Sequence, residues 1–149
     1  MSAPSNKPVP TTGPLSMANQ GNATLDALHH DGIVFPSAVY AAATNSPDIY
    51  NVDCKGIRIF TTNAATGGAT VVVKVQVKDP ATGSYTDLAG AATAALGAVT
   101  SSLMTIYPGL TGIADSAGIT INQHLGPIFR LVLTPSASTT AGVGVDFLV

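Results

Sequence analysis

The chain has 149 residues, 46% of them hydrophobic and only 9% charged, with a formal net charge of −2. A typical soluble domain is about 25% charged, so the exterior here must be built from Thr, Ser, Asn, Gly and Ala, which leave water without stripping many ions. No Lys/Arg cluster offers an electrostatic footprint for nucleic acid or an anionic membrane, and the single cysteine, Cys54, excludes an internal disulfide framework.

The length fits one domain that buries about two-thirds of its unfolded surface. Every acidic residue is Asp, and Lys and Arg total 6. Glu, Lys, Arg and Leu fill helix surfaces, so their scarcity predicts an all-β chain.

Residues 1–30 read as an extended N-terminal arm and residues 31–149 as a β-sandwich domain. Met1 to Asn22 holds Pro4, Pro8, Pro10 and Pro14 with few large apolar residues. Such a stretch favours extended backbone and cannot build a core element. It is either a tail or an arm laid across a neighbouring subunit. In the second reading Pro8, Val9, Pro10, Pro14, Leu15 and Met17 are its interface residues. Thr24 to His30 has the pattern of one helical turn.

Ile33 to Thr44 reads as a strand interrupted at Pro36, which predicts an edge strand or a bend. Asn45-Ser46-Pro47-Asp48 is a turn, and Ile49 to Val52 a short strand. Ile57 to Thr61 places Ile57 and Ile59 on one face and Arg58 and Phe60 on the other. Ala69 to Leu88 carries the clearest signal. Val71, Val73, Val75 and Val77 alternate with Val72, Lys74, Gln76 and Lys78, and Asp79-Pro80-Ala81-Thr82-Gly83 then turns the chain. That predicts a hairpin with its valine face on the core and its lysine face in water. Ala89 to Ala98 reads as a loop or short packed turn. Further strands are expected at Val99 to Tyr107, Gly118 to His124, Ile128 to Thr134 and Gly142 to Val149. About eight strands spaced by turns make an antiparallel β-sandwich, with a jelly-roll connectivity one option among several.

Little in the sequence carries chemistry. His29-His30-Asp31 has metal-ligand character, but adjacent histidines on extended chain point to opposite faces, and His124 lies far along the chain. No nucleophile elbow, phosphate loop, dinucleotide fingerprint or zinc spacing occurs. Asp48, Asp79, Asp87 and Asp115 sit in turn contexts, which explains them better than a catalytic carboxylate pair. Cys54 reads as a small buried hydrophobe. The aromatic residues, about one per strand, read as core, and tryptophan is absent, which weakens a sugar-stacking platform. The expectation is a chain with no enzymatic activity, cofactor, metal, nucleic-acid or membrane partner. The N-terminus has no leader pattern, and no stretch is long and apolar enough to span a bilayer.

Val73 to Leu88, Leu103 to Leu110 (Leu-Met-Thr-Ile-Tyr-Pro-Gly-Leu) and Gly126 to Pro135 (Gly-Pro-Ile-Phe-Arg-Leu-Val-Leu-Thr-Pro) together resemble the small β-sandwich structural proteins of tailed bacteriophages. The resemblance covers roughly Ile57 to Val149 and rests on structural turns, so it transfers no functional residue. It implies a virion component made in the host bacterial cytoplasm and placed on the capsid exterior. The most direct role is that of a decoration, or cement, protein that bridges subunits of the major capsid protein. It also implies a homo-oligomer, with a trimer favoured. A tail, neck or head-fibre base protein, or a sandwich module for carbohydrate or a host surface, are the alternatives.

Overall fold

The computed structural model describes residues 31–51, 53–110 and 118–149. They form ten strands: β1 (Asp31–Tyr40), β2 (Thr44–Asn45), β3 (Ile49–Tyr50), β4 (Gly56–Asn63), β5 (Val71–Lys78), β6 (Tyr85–Ala92), β7 (Thr100–Ile106), β8 (Gly118–Ile121), β9 (Ile128–Pro135) and β10 (Thr139–Leu148). Sheet I runs β1-β10-β4-β7-β8, and sheet II runs β2-β9-β5-β6 with β3 also paired to β9.

The pairs nest. β1 meets β10, β2 and β3 meet β9, β4 meets β7, and β5 meets β6. Counting β2 and β3 as one interrupted strand and setting β8 aside, this is a long antiparallel hairpin rolled on itself, the strand order of a jelly roll. β8 adds to the edge of sheet I alongside β7, and this pair is parallel, unlike the rest of the ladder.

Alternation builds the core. Val71, Val73 and Val75 on β5, Leu131, Leu133 and Phe129 on β9, Ile57 and Ile59 on β4, and Met104 and Ile106 on β7 are fully buried. Val143, Val145 and Phe147 on β10 close the same interior. Phe129 meets Phe147 edge-on across the two sheets, with ring centroids 6.3 Å apart. Each such side chain contributes about 1.5–3 kcal/mol on burial, so this interior accounts for folding without metal or disulfide.

At one end of the core the Asn63 amide joins four segments. Its Nδ2 donates to the carbonyls of Ala69 (3.0 Å) and Leu96 (2.9 Å), and its Oδ1 accepts from Thr139 Oγ1 (2.6 Å) and the Ala65 amide (3.2 Å). At the other end Gly56 lets β4 pass β7 closely. A Cβ there would lie 2.2 Å from the Ile106 carbonyl oxygen.

The β5–β6 hairpin forms as its sequence predicts. Asp79 Oδ1 accepts from the Ala81 amide at 2.8 Å, the Gly83 amide donates to the Asp79 carbonyl at 2.8 Å, and Gly83 takes φ +76°. β1 is the edge strand that Pro36 suggested, and its pairing with β10 shifts register between Phe35 and Ala38, around the proline.

Several boundaries differ from expectation. Ala89 to Ala92 is not loop: β6 continues through it, re-registered by a bulge at Gly90 (φ +77°), and buries Ala91. Backbone bonds from Thr93 to Val73 and Leu96 to Val71 carry the pairing further. β10 begins at Thr139, before Gly142, because Thr139 and Thr140 already pair with β1. β8 stops at Ile121. Asp87 lies within β6 rather than in a turn, and Phe60 and Tyr50 are exposed rather than core.

Candidate functional site

The two outer sheet faces differ in chemistry. On sheet II the outward positions of β5, β6 and β9 include Val72 and Val132, but most are polar and tied to one another. Lys74 Nζ donates to Asp87 Oδ2 at 2.8 Å and Gln76 Nε2 to Asp87 Oδ1 at 2.6 Å. Arg130 Nε donates to Gln76 Oε1 at 2.9 Å, and its guanidinium lies over the Tyr85 ring, 3.6 Å from the centroid. Asp48, in the loop between β2 and β3, accepts from Lys78 Nζ at 2.7 Å and from the Tyr85 hydroxyl.

These contacts push Asp48, Asp87, Lys78 and Tyr85 away from neutrality. The hydrogen bonds from Lys78 and then Tyr85 hold the Asp48 carboxyl below its ordinary range. Lys74 and then Gln76 do the same for Asp87. The bond to Asp48 raises both Lys78 and Tyr85. A general acid or base must be poised near the working pH, and none of these groups is. The face is a cross-linked polar surface, of the kind that water covers.

On sheet I most outward residues are aliphatic, aromatic, hydroxylic or glycine, with the charged exceptions confined to one row. The registers align Ile33, Gly144, Phe60, Leu103 and Gly118 in one row across β1, β10, β4, β7 and β8. The next row places Asp31, Asp146, Arg58, Thr105 and Thr120 side by side. Beyond them Leu148 faces Gly56, and on the other side Gly142 faces Thr62. Ile33 is 69% exposed and Phe60 46%. Arg58 and Asp146 form an ion pair in the second of these rows, 3.4 Å between Nη1 and Oδ2. Over β4 and β7 the face sinks into an open hollow of about 440 Å³ lined by Arg58, Phe60, Leu103, Tyr107, Leu110 and Leu148, among others.

This apolar face is the candidate functional surface. A solvent-facing sheet normally alternates polar outward residues with apolar inward ones, and a contiguous exposed apolar patch on a folded domain marks a contact with something else. Sequence reasoning placed Arg58 and Phe60 opposite Ile57 and Ile59 but took Phe60 for core by counting one aromatic per strand. The alternation alone held the signal: once Ile57 and Ile59 fill the interior, Phe60 must face out.

The arm residues Pro8, Val9, Pro10, Pro14, Leu15 and Met17, and His29, His30 and Asp115, lie outside the described residues, as does the suggested helical turn at 24–30. His124 is exposed, and among the described residues no group of three or more His, Cys, Asp or Glu is placed to hold a metal. Cys54 is buried, and burial followed by the nearby Asp53 charge pushes its thiol up, away from the reactive thiolate. A second open hollow, of about 340 Å³ beside Ala65, Gly67, Ser138 and Thr140, is lined by small and hydroxyl side chains. No helix among the described residues is long and apolar enough to cross a membrane. Comparisons of the chain with protein-family models, with curated proteins and with solved structures find no match.

Proposed function

We propose that this chain is a non-enzymatic assembly protein, a virion component of the decoration type that binds the outside of a phage head and holds capsid subunits together. The observation that carries the reading is the sparsely charged outer face of sheet I, with Ile33 and Phe60 exposed on it, set against a sheet II face whose lysines are already paired with Asp48 and Asp87. A sheet face with few charges loses little on desolvation and gains from cover by protein. Repetition of a modest contact over a symmetric shell multiplies it into firm binding. The resemblance of residues 57–149 to phage sandwich proteins names the particle, and jelly rolls are frequent among viral capsid domains, a fold-level analogy only.

The non-enzymatic part of the reading is supported by the polar face, where carboxylates are engaged by lysines and the Tyr85 ring by Arg130. In this reading residues 1–30 supply a second contact, to the major capsid protein.

The test is co-sedimentation of the purified protein with heads that lack it, with bound copies counted. Saturable binding at a number matching the shell's symmetry is expected, and no binding to heads overturns the decoration role in favour of a tail, neck or fibre position. Removal of Met1 to Asn22 is expected to weaken head binding while the melting temperature of the sandwich stays within a few degrees. Full binding by the shortened chain would overturn the role of the arm.

A further inference from the structure

We infer that the outer face of sheet I is the seat of a second copy of this chain, packed face to face about a twofold axis that runs along the strands between β10 and β4. The inference rests on the reading of this face as a protein contact and names the protein that covers it.

A twofold contact presents the same patch from both sides, so the patch must complement itself. An axis lying between β10 and β4, parallel to the strands, brings β10 of one copy over β4 of the other and β1 over β7. The registers of the sheet then decide what meets. Gly144 and Phe60 are partners across the axis, so the exposed Phe60 ring of each copy faces a glycine on the other. Gly142 and Gly56 are buried in their own chain, beside Ser37 and Tyr107, so the seat offered to the partner's side chain is Gly144. In the row of Phe60, Ile33 on β1 comes over Leu103 on β7, where the hollow lies open. In the next row Asp146 comes over Arg58, so the two ion pairs of the separate copies can exchange partners across the interface.

This complementarity belongs to the midline between β10 and β4. An axis between β4 and β7 sets Phe60 against Leu103, and Arg58 against Thr105. Two sheets pack face to face about 10 Å apart, with strands within roughly 30° of each other, and the glycine at 144 leaves room for the partner's Phe60 at that approach. Four strands of about eight residues project roughly 500 Å². Side-chain relief raises the buried area toward the ~600 Å² per partner at the low end of specific interfaces, the size range of weak and transient contacts. The twofold contact makes a dimer where the phage resemblance implies a trimer, so the stoichiometry is itself a discriminating readout.

The experiment is native mass spectrometry and sedimentation of the full chain, without heads, from about 1 to 100 μM, a range suited to a weak contact of this kind. The wild-type chain is expected to pass from monomer to dimer. Arg58→Asp and Asp146→Arg each set like charges across the axis, which is expected to weaken self-association about tenfold or more. An equimolar mixture of the two variants, one acidic and the other basic at both positions, is expected to recover the dimer as a heterodimer. A role confined to the ion pair within one chain does not give that recovery. Gly144→Val is the independent check. Within its own chain an added Cβ meets the Gly32 carbonyl oxygen at an ordinary 3.5 Å, so the fold is retained by circular dichroism, while the seat of the partner's Phe60 is filled and the dimer is lost.

A wild-type chain that stays monomeric over this range overturns the inference, whether its face is bare or covered by its own residues 1–30. A trimer, or a dimer that survives Gly144→Val with a retained fold, also overturns it. A dimer that fails to bind heads leaves this inference standing and removes the head-decoration reading. Head binding by a strictly monomeric chain does the reverse.

Discussion

Thr61 and Asn63 stand two residues apart on β4, both fully buried, and show opposite ways of placing a polar group in a core. The Asn63 amide uses all its bonding capacity on four partners. The Thr61 hydroxyl has no hydrogen-bond partner. A buried polar group left without one is destabilising by about 1–3 kcal/mol. Thr61→Val removes that group at nearly constant shape and is expected to raise stability by about 1 kcal/mol. Asn63→Ala strands two carbonyls, an amide and a hydroxyl and is expected to lower stability by about 3 kcal/mol or more. Urea unfolding of both variants checks the pair, and a destabilised Thr61→Val overturns the reading of the unpaired hydroxyl.

Asp48 is the residue whose titration the fold senses. Its carboxyl is held below the ordinary value by Lys78 first and Tyr85 second, so the stability it contributes is present above the unfolded carboxylate pKa of about 3.9 and is lost as pH falls through the lower folded value. Asp79, held down by Thr82 and the Ala81 amide, and Asp87 act with the same sign. Tyr85 and Lys78 are shifted upward, so their contribution is present below about pH 10 and is lost as the solution becomes more alkaline than their raised values. The melting temperature is expected to be flat through neutrality and to fall below about pH 4 and above about pH 10. Asp48→Asn is expected to flatten the acid side and lower the plateau, and an unchanged acid limb in that variant overturns the assignment.

At the scale of the element, legibility followed side-chain size. β4, β5, β7 and β9 and the body of β10 were readable because Val, Ile, Leu and Phe alternate along them with polar residues or glycine. The Asp79–Gly83 turn was readable because each residue has its own reason to be there. Ala89 to Ala92 was not readable, since alanine and glycine carry no alternation, and its strand state comes from pairing with β5 across a bulge. β2 has two residues and exists because β9 offers an edge. The parallel docking of β8 on β7 is a tertiary fact with no local signal. Of the candidate surface, the outward set on β4 was legible from alternation. Its alignment with Ile33, Leu103 and Gly144 was not, because register depends on strand neighbours far apart in sequence.

Glycines divide along the same line between local and tertiary cause. Gly56 has no turn to make and no positive φ, yet an added Cβ would lie 2.2 Å from the Ile106 carbonyl oxygen and 2.7 Å from the Tyr107 ring. Gly56→Ala must push β7 from β4 and is expected to lower stability by about 3 kcal/mol, at the severe end for a single substitution. Gly67→Ala, where nothing lies within 4 Å, is expected to stay within about 0.5 kcal/mol of the parent. Thermal melts of the two variants side by side separate close packing from a general intolerance of the loops and strands to alanine.

For the whole molecule, composition and structure meet in where the charge sits. A chain with 9% charged residues places Lys74, Lys78, Arg130, Asp48 and Asp87 on one sheet face and leaves the other with the pair Arg58–Asp146 and Asp31 in the same row. Association through the sparsely charged face therefore has little Coulomb energy for salt to screen. Raising the ionic strength from about 0.05 to 0.5 M shortens the Debye length severalfold and weakens exposed charge contacts, but burial of apolar surface is unaffected by screening and is strengthened by sulfate. Binding of the protein to heads, or of its copies to one another, is expected to change less than about threefold over that range and to tighten in sodium sulfate. A loss of tenfold or more would mean that charge drives the contact. The polar face of sheet II, or the few charges of residues 1–30, would then be the surface that matters, and Lys74→Ala with Lys78→Ala would be the variants that abolish binding.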